Sequence, residues 1–250
     1  MRVLLTNDDG IGSPGLMALW EAVHPIAEVT IVAPTRERSG VGHGISMHDL
    51  HVYPWRMDAA TGYAVHGTPA DCVKVAIYDL MQTKPDLVIS GVNRGLNYGI
   101  DAFYSGTVAA AREAAIRGIP GLALSVEAEE FARAAEFAVL LARQMDSLAR
   151  PAGIMLNVNV PKNPTMGIRI TRQSDGGFRE EYHKEVDELG RATYSVRGEH
   201  PPTSEDLEFD YPAVRAGYVS VTPMHFDLTH YPSLNLLREI LEDGKAVRQA

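Results

Sequence analysis

Two adjacent aspartates, Asp8 and Asp9, stand between the first apolar run of the chain and a glycine-rich turn, in the stretch NDDGIGSPG at residues 7–15. Hard divalent cations such as Mg²⁺, Mn²⁺ and Ca²⁺ prefer oxygen ligands, and two carboxylates balance their charge before an anionic substrate binds. Successive residues of a strand point to opposite faces, so both carboxylates reach one ion only where the chain turns, and Gly10 permits a turn. The pair therefore predicts a metal site.

The same stretch allows two other interpretations. Its glycines have the G-x-G-x-x-G spacing of a loop that binds the pyrophosphate of a dinucleotide. That loop needs a carboxylate at the end of the second strand, where this chain has Ala33, Pro34 and Thr35, and two aspartates would repel a pyrophosphate. The dinucleotide interpretation is therefore disfavoured. The aspartates could also be charges that favour the dipole of a following helix, and the pair alone leaves that alternative open.

Polar side chains also occupy two later glycine-rich loops. One loop, RERSGVGHG at residues 36–44, contains Ser39 and Gly40; the other, SGVNRGLNYGIDAFYSGT at residues 90–107, contains Asn93 and Asn97 and ends in Ser105, Gly106 and Thr107. Serine and asparagine oxygens can complete the coordination of a cation without adding negative charge. The N–H groups of residues 105–107 enter a predicted helix and suit an anion. Each loop alone could be a turn with helix caps, but three at one sheet edge indicate a binding site.

The elements that position these loops follow from the hydrophobic pattern. Near-continuous apolar runs, typical of parallel strands buried on both faces, occur at residues 2–6, 29–34, 86–92, 121–126 and 154–160. Helix starts are predicted at Ser13-Pro14 and Thr68-Pro69, and residues 128–149 carry one apolar stripe of helical period. Alternating strands and helices predict an α/β fold with a doubly wound, mostly parallel sheet, in which ligands bind at the carboxyl ends of the strands.

Composition narrows the class of protein. The formal net charge is −9 over 250 residues, which disfavours a nucleic-acid polymer as a stable partner but not a small anionic substrate beside a cation. The single cysteine, Cys72, lies in a predicted helix interior and fits a reducing compartment. No stretch has the length and apolarity of a membrane span, and the start of the chain does not read as a signal peptide. We therefore expect a cytoplasmic protein with no membrane partner.

Several stretches together resemble the SurE family of survival-protein nucleotidases. They are LLTNDDGIGSPGL, VAPTRERSGVGH, HGTPADCV, SGVNRGLNYGIDAFYSGTVAAAREA and LNVNVP with GYVSVTP, in this order over nearly the whole chain. The resemblance implies a metal-dependent phosphatase, a 5′/3′-nucleotidase whose substrates are nucleoside 5′- and 3′-monophosphates. It also implies one divalent ion per subunit, Mg²⁺ or Mn²⁺, held by Asp8, Asp9, Ser39 and Asn93.

The resemblance further implies a Rossmann-like core with a carboxy-terminal extension that builds homodimers or homotetramers. We accordingly expect a catalytic core at residues 1–165, a hairpin extension for oligomerisation at 166–216, and a returning strand with a final helix at 217–250. The residues themselves predict the hairpin, with strands at 178–187 and 191–197. A lone two-stranded ribbon is marginal in water, so we expect it to dock against another subunit.

Hydrolysis of a phosphomonoester requires charge neutralisation on the phosphoryl oxygens and an in-line nucleophile. We predict that a water molecule activated by the metal attacks phosphorus, and that an aspartate, Asp8 by preference, orients or deprotonates this water. The predicted phosphate ligands are Gly40, Asn97, Ser105, Gly106 and Thr107. No side chain is a convincing proton donor to the leaving oxygen; His43 is the nearest by loop, although a structural histidine is the commoner case.

Two other phosphoryl-transfer proteins are the alternatives. A Mg²⁺-binding receiver-like domain needs a phosphoacceptor aspartate at the end of its third strand, whereas Asp49 and Asp58 lie in sequence that reads as irregular. A haloacid-dehalogenase-like phosphatase needs two acids separated by one residue at the first strand, which the adjacent pair lacks. Both alternatives form a phospho-aspartyl intermediate, and attack by water does not.

Overall fold

The computed structural model describes residues 1–148, 153–163, 166–201 and 204–242, with the backbone alone at 145–148. The strands are β1 (Arg2–Thr6), β2 (Glu28–Pro34), β3 (Val52–Met57), β4 (Ala60–Val65), β5 (Leu87–Arg94), β6 (Gly121–Val126), β7 (Ile154–Val160), β8 (Ile168–Ile170), β9 (Arg179–Val186), β10 (Ala192–Glu199) and β11 (Val219–His225). The α-helices are α1 (Pro14–Val23), α2 (Pro69–Val75), α3 (Gly106–Ile116), α4 (Phe131–Leu148), α5 (Asp210–Arg215) and α6 (Leu234–Leu241).

Nine strands form one sheet in the order β3-β4-β2-β1-β5-β6-β7-β11-β8. The six strands from β4 to β7 pair in parallel, while β3 and β11 pair antiparallel to β4 and β7. Helices α1 and α4 pack together, and so do α2 and α3. The buried apolar side chains form two large clusters, which the strands of the sheet supply together with these helices. The predicted α/β class with a doubly wound, mostly parallel sheet is confirmed.

The helix starts form as the sequence predicts. Ser13 lies in extended conformation, and its hydroxyl accepts a hydrogen bond from the N–H of Leu16, with Pro14 at the first helical position. Thr68 forms a capping box with Asp71, in which each side chain accepts from the backbone N–H of the other residue. These caps satisfy N–H groups that the first helical turn leaves without partners.

The segment between β2 and α2 departs from the sequence prediction, because β3 and β4 form a hairpin at the edge of the sheet. Asp58, which reads as irregular in the sequence, lies in the tight turn with φ +52°. Pro54 lies inside β3, and proline within a run argues against a central strand but is tolerated at an edge. The alternation of β3 is also weak, since four of its six residues are exposed.

The carboxy-terminal part of the chain is divided between two sheets. β8 and β11 belong to the main sheet, whereas β9 and β10 form a separate antiparallel pair, as the sequence predicts. Every residue of β9 and β10 is exposed. α5 has no counterpart in the sequence prediction. The apolar stripe predicted at 128–149 includes Met145 and Leu148, whose side chains lie outside the described residues. Within the described residues no helix is long and apolar enough to cross a bilayer.

Candidate active site

Three of the predicted site residues lie where the order of strands reverses. β1 lies between β2 and β5, and the chain runs from β1 to β2 on one side before it continues through β5 and β6 on the other. Asp8 and Asp9 follow the carboxyl end of β1, and Asn93 lies near the carboxyl end of β5. The crevice at such a reversal is where ligands bind in doubly wound sheets.

Asp8 is held by the first turn of α3. Its carboxylate accepts a hydrogen bond from the backbone N–H of Thr107 at 3.1 Å and another from the Thr107 hydroxyl. A Cβ at Gly106 would lie 2.8 Å from the Cβ of Asp8, so the close approach of helix and aspartate requires glycine there. Asp8 is only 4% exposed, and burial raises the pKa of its carboxyl in spite of the hydrogen bonds from Thr107.

Asp9 is half-buried beside Asp8. Burial, and next the negative charge of Asp8, raise the pKa of Asp9 to about 6, while the backbone of Arg94 opposes the shift. Two carboxylates forced together in a partly dry site repel each other, and a divalent cation between them would relieve that repulsion. The pair therefore has the electrostatics of a cation site.

Asn7 fixes the turn that brings the aspartates together, and the sequence reasoning missed it. Its amide nitrogen donates to the carbonyl oxygen of Gly10 at 3.0 Å and to the hydroxyl of Ser13 at 2.7 Å. Gly10 has φ +100°, so the turn expected at this glycine is present. An asparagine just before a glycine turn is a local signal that could have identified this role.

Asn93 lies just after an irregularity near the carboxyl end of β5. The pairing of β5 with β6 shifts register between Ser90 and Asn93, which changes the direction of the side chains that follow. The amide nitrogen of Asn93 donates to the carbonyl oxygen of Gly95 at 2.8 Å. Its Oδ1 accepts no hydrogen bond from the described residues, so this oxygen is available to a cation.

Ser39 lies on an exposed loop that crosses the same edge of the sheet. Its hydroxyl donates to Glu37 at 2.6 Å, which leaves the oxygen lone pairs available as ligands. The loop is fixed before Ser39 by the N–H of Arg38, which donates to the carbonyl oxygen of Asp8 at 2.7 Å. Ser39 and the two aspartates are therefore attached to one another through the backbone.

The residues predicted to bind phosphate have the following partners. Ser105 caps α3, because its hydroxyl accepts from the N–H of Val108 at 3.1 Å. The amide nitrogen of Asn97 donates to Ser125 at 2.8 Å, and this asparagine is only 9% exposed. Gly40 is exposed with φ +71°. A phosphate would have to compete with Asp8 for the donors of Thr107, so the assignments stay predictions.

His43, the nearest histidine by loop, is engaged in a contact with α3. Its Nε2 lies 2.9 Å from Glu113, a glutamate that is 4% exposed and also accepts from Arg117 at 2.8 Å. Burial raises the pKa of Glu113, but the hydrogen bonds from His43 and Arg117 outweigh it and the net shift is downward. Glu113 was missed by the sequence reasoning, since a glutamate inside a helix usually reads as a solvent-facing charge.

A cleft of about 610 Å³ opens beside Asp9. The turn at residues 10–15 forms one wall, and the other walls contain Arg36, Glu37, Arg94 and Phe131. Gly15 lies so close to β5 that a Cβ would be 2.1 Å from the carbonyl oxygen of Val92. One glycine of the dinucleotide-like spacing thus serves the packing of α1 on the sheet, and the cleft leaves room for a small molecule next to the aspartates.

The chemistry of the four predicted ligands fits a hard divalent cation. The four predicted ligands offer two carboxylates, a hydroxyl and an amide oxygen, and no sulfur or imidazole. Within the described residues there is no group of three or more histidine, cysteine or acidic side chains that could hold a metal instead. Fold and site together define a doubly wound α/β protein with an oxygen-rich site at its topological switch point.

Comparison with known proteins identifies the family. Residues 3–180 match the family model described as survival protein SurE. The chain is 44% identical over 249 residues to a protein of Geotalea daltonii named 5′-nucleotidase SurE, covering 96% of this chain and 98% of that one. A protein of Symbiobacterium thermophilum with the same name is also 44% identical, over 95% and 97% of the two chains. The chain therefore belongs to the SurE family, and the resemblance noted in its motifs is confirmed.

The fold agrees with that of a solved member of the family. The crystal structure of the SurE protein from Aquifex aeolicus superposes with a TM-score of 0.83 at 39% sequence identity. The match covers 96% of this chain and 99% of the other. The agreement extends over nearly the whole chain and is not confined to the parallel sheet.

Proposed function

We propose that this protein is a metal-dependent phosphomonoesterase that releases phosphate from nucleoside 5′- and 3′-monophosphates. The observation that carries the proposal is the pair Asp8 and Asp9, which lie together at the switch point with raised pKa values. The names of the Geotalea and Symbiobacterium relatives support a nucleotidase.

Asp8, Asp9, Ser39 and Asn93 are proposed to hold one divalent ion, Mg²⁺ or Mn²⁺, in each subunit. Such an ion supplies a Lewis acid that neutralises phosphoryl charge and lowers the pKa of water. Thr107 keeps Asp8 in place by donating two hydrogen bonds to its carboxylate. Asp9 is the more accessible carboxylate of the pair; its pKa of about 6 holds for the metal-free protein, and a bound cation would lower it.

The substrate is proposed to bind through its phosphate and its nucleoside. Gly40, Asn97, Ser105, Gly106 and Thr107 are proposed to bind the phosphate through N–H, amide and hydroxyl donors. The cleft beside Asp9 is large enough for part of a nucleoside, since ligand pockets typically begin at about 300 Å³. Its position against the aspartates supports a small phosphomonoester as substrate.

We also propose an oligomeric state, domain boundaries and a cellular location for this protein. The exposed β9–β10 pair supports a homodimer or homotetramer, because an isolated two-stranded ribbon is marginal in water. The proposed boundaries remain 1–165 for the catalytic core, 166–216 for the oligomerisation extension and 217–250 for the carboxy-terminal part. A cytoplasmic location is proposed on the single, buried Cys72, which fits a reducing compartment.

The test is phosphate release from a panel of nucleoside 5′- and 3′-monophosphates, with a phosphodiester as the negative control. The enzyme is treated with EDTA, dialysed, and assayed before and after addition of Mg²⁺ or Mn²⁺. We expect activity on at least one monophosphate, its loss with EDTA and its return with metal. Absence of phosphate release from every nucleotide, with each metal present, would contradict the proposal.

A further inference from the structure

Helix α3 contacts the candidate site at two points along its length. In its first turn, Thr107 donates two hydrogen bonds to Asp8. Further along, Glu113 lies 2.9 Å from Nε2 of His43, which belongs to the same loop as Ser39. Helix α3 therefore contacts both the turn that carries Asp8 and the loop at residues 36–44 that carries Ser39, which we call the serine loop.

The Glu113 contact is a buried, directional hydrogen bond. Because the pKa of Glu113 is lowered, its carboxylate is ionised near neutral pH and can only accept, so Nε2 of His43 carries the donated proton. The side chain of Glu113 is 6% exposed and that of His43 is 21% exposed. The second carboxylate oxygen accepts from Arg117, so both oxygens are satisfied inside the protein. Removal of one donor would leave a buried acceptor without its partner, which is costly.

The serine loop depends on contacts on each side of Ser39. Before it, the N–H of Arg38 donates to the backbone carbonyl oxygen of Asp8. After it, the N–H of Gly42 donates to the carbonyl oxygen of Tyr104 at 2.8 Å, and the His43 contact follows directly. Among the described residues, the side chain of Ser39 bonds only to Glu37 of its own loop. The position of Ser39 is therefore set by its neighbours in the chain.

We propose that His43 and Glu113 are positioning residues that fix the distance between Ser39 and the aspartates, with α3 as the spacer. The inference rests on the proposed function, since it takes Ser39 and Asp8 as ligands of one cation. His43 does not touch the reacting atoms in this role. It holds the loop against the helix whose first turn holds Asp8.

The first experiment measures binding of Mn²⁺ to the metal-free enzyme by electron paramagnetic resonance, without substrate. His43→Leu removes the hydrogen-bond donor and puts an apolar side chain of similar size in its place. We expect this variant to bind Mn²⁺ about tenfold more weakly than the wild type. His43→Gln places an amide donor near the same point and should restore affinity to within about threefold of the wild type.

The matched control is Arg117→Gln, which disturbs the other oxygen of the same carboxylate and leaves the loop contact in place. Its Mn²⁺ affinity should stay within about threefold of the wild type. A double-mutant cycle compares His43→Leu, Glu113→Gln and the variant with both changes. The double variant should bind Mn²⁺ no more weakly than whichever single variant has the lower affinity. Additive losses would overturn the proposal, because the two side chains would then act separately.

Amide hydrogen exchange of residues 36–44, in EDTA, separates this inference from the proposed function. We expect His43→Leu to raise exchange in this segment and His43→Gln to restore protection. One outcome is that wild type neither binds Mn²⁺ nor hydrolyses nucleotides, while His43→Leu still raises exchange in residues 36–44. The proposed function is then wrong, but the His43–Glu113 contact still holds the loop in position. If wild type binds Mn²⁺ and His43→Leu changes neither exchange nor affinity, the positioning role is wrong.

Discussion

Two sets of acidic side chains, Asp8 with Asp9 and Asp71 with Glu113, have pKa values that are shifted in opposite directions. Burial raises the pKa of Asp8 in spite of the hydrogen bonds it accepts, and burial together with the negative charge of Asp8 raises the pKa of Asp9. Asp71 and Glu113 have lowered pKa values, because the hydrogen bonds they accept outweigh burial. The second set holds the structure together. The first set is kept in a state that a cation would stabilise, so ligand binding and folding place different demands on the same residue type.

Asp71 shows how well the structural set is satisfied. It accepts from the N–H of Thr68 at 2.9 Å, and from the N–H and the hydroxyl of Ser46 at 3.1 Å and 2.7 Å. It thereby caps α2 and attaches the segment after the serine loop to that helix. Within the described part of the chain, the backbone of Arg94 donates to Asp9, and the negative charges of Asp8 and Glu37 lie close to this carboxylate.

The largest difference between the two sets should appear in activity. We predict that Asp8→Asn lowers kcat/KM for a nucleoside monophosphate by at least about a thousandfold, because loss of a proposed metal ligand would remove several kcal/mol of transition-state stabilisation. Asparagine can still accept from Thr107, so the melting temperature of the metal-free protein should not fall. Asp86→Asn, at an ion pair with Arg2 at the amino end of β5, is the matched control and should keep full activity. Near wild-type turnover by Asp8→Asn would contradict the assignment.

The next difference should appear in stability. We predict that Asp71→Asn lowers the free energy of unfolding by about 2 kcal/mol, because it removes a cap and turns an acceptor into a donor facing other donors. Urea unfolding measures the change. Asp86→Asn again serves as control and should cost at most about 1 kcal/mol, as exposed ion pairs do. An equal loss of unfolding free energy in the two variants would show that the hydrogen bonds of Asp71 stabilise the fold no more than an exposed ion pair does.

The smallest expected effect is a pH dependence of opposite sign in the two sets. The folded pKa of Asp9 is about 6, above the ordinary value of 3.8, so the folded protein binds the extra proton more tightly. The metal-free protein should therefore gain stability as the pH falls from about 7 to about 5. The pKa of Asp71 is lowered, so its ionised carboxylate stabilises the folded protein at pH values above 3.8, the ordinary pKa of the group. That stability is lost only as the pH falls further, through the folded pKa.

Melting curves in EDTA across this range measure the effect, with Asp9→Asn as the comparison. We expect a shift of a few degrees in the wild type and a smaller one in the variant, because the variant lacks the titrating group. If Asp9→Asn shows the same gain on acidification as the wild type, the gain arises from another group and Asp9 does not carry it.

Most of the sheet was predictable from the sequence because its strands are buried on both faces. β6 and β7 have the bounds that their apolar runs predict, and α1 and α2 begin at the predicted caps. The β3–β4 hairpin was missed, since an exposed edge strand with a proline carries little of that signal. α5 is only six residues long and contains a proline, so its period is too short to detect.

The site was predictable as a convergence of loops but not as a set of contacts. A strand end, an acidic pair and a glycine turn are local features, and topology brings them to one edge. The partners of Asp8 and His43 lie 99 and 70 residues away in the chain. Nothing in the local pattern marks Thr107 as the holder of an aspartate, because an N-terminal helical threonine suits an external anion equally well.

The close packing of α3 on the sheet limits which parts of this protein can vary. A Cβ at Gly121 of β6 would lie 2.2 Å from the carbonyl oxygen of Ala111, and the buried face of α3 is built largely of alanines. A larger side chain on either surface would displace the helix, and with it both contacts to the site loops. Sequence variation is therefore easier in the cleft walls than in this helix. The smallest side chains of the molecule should be among its least replaceable.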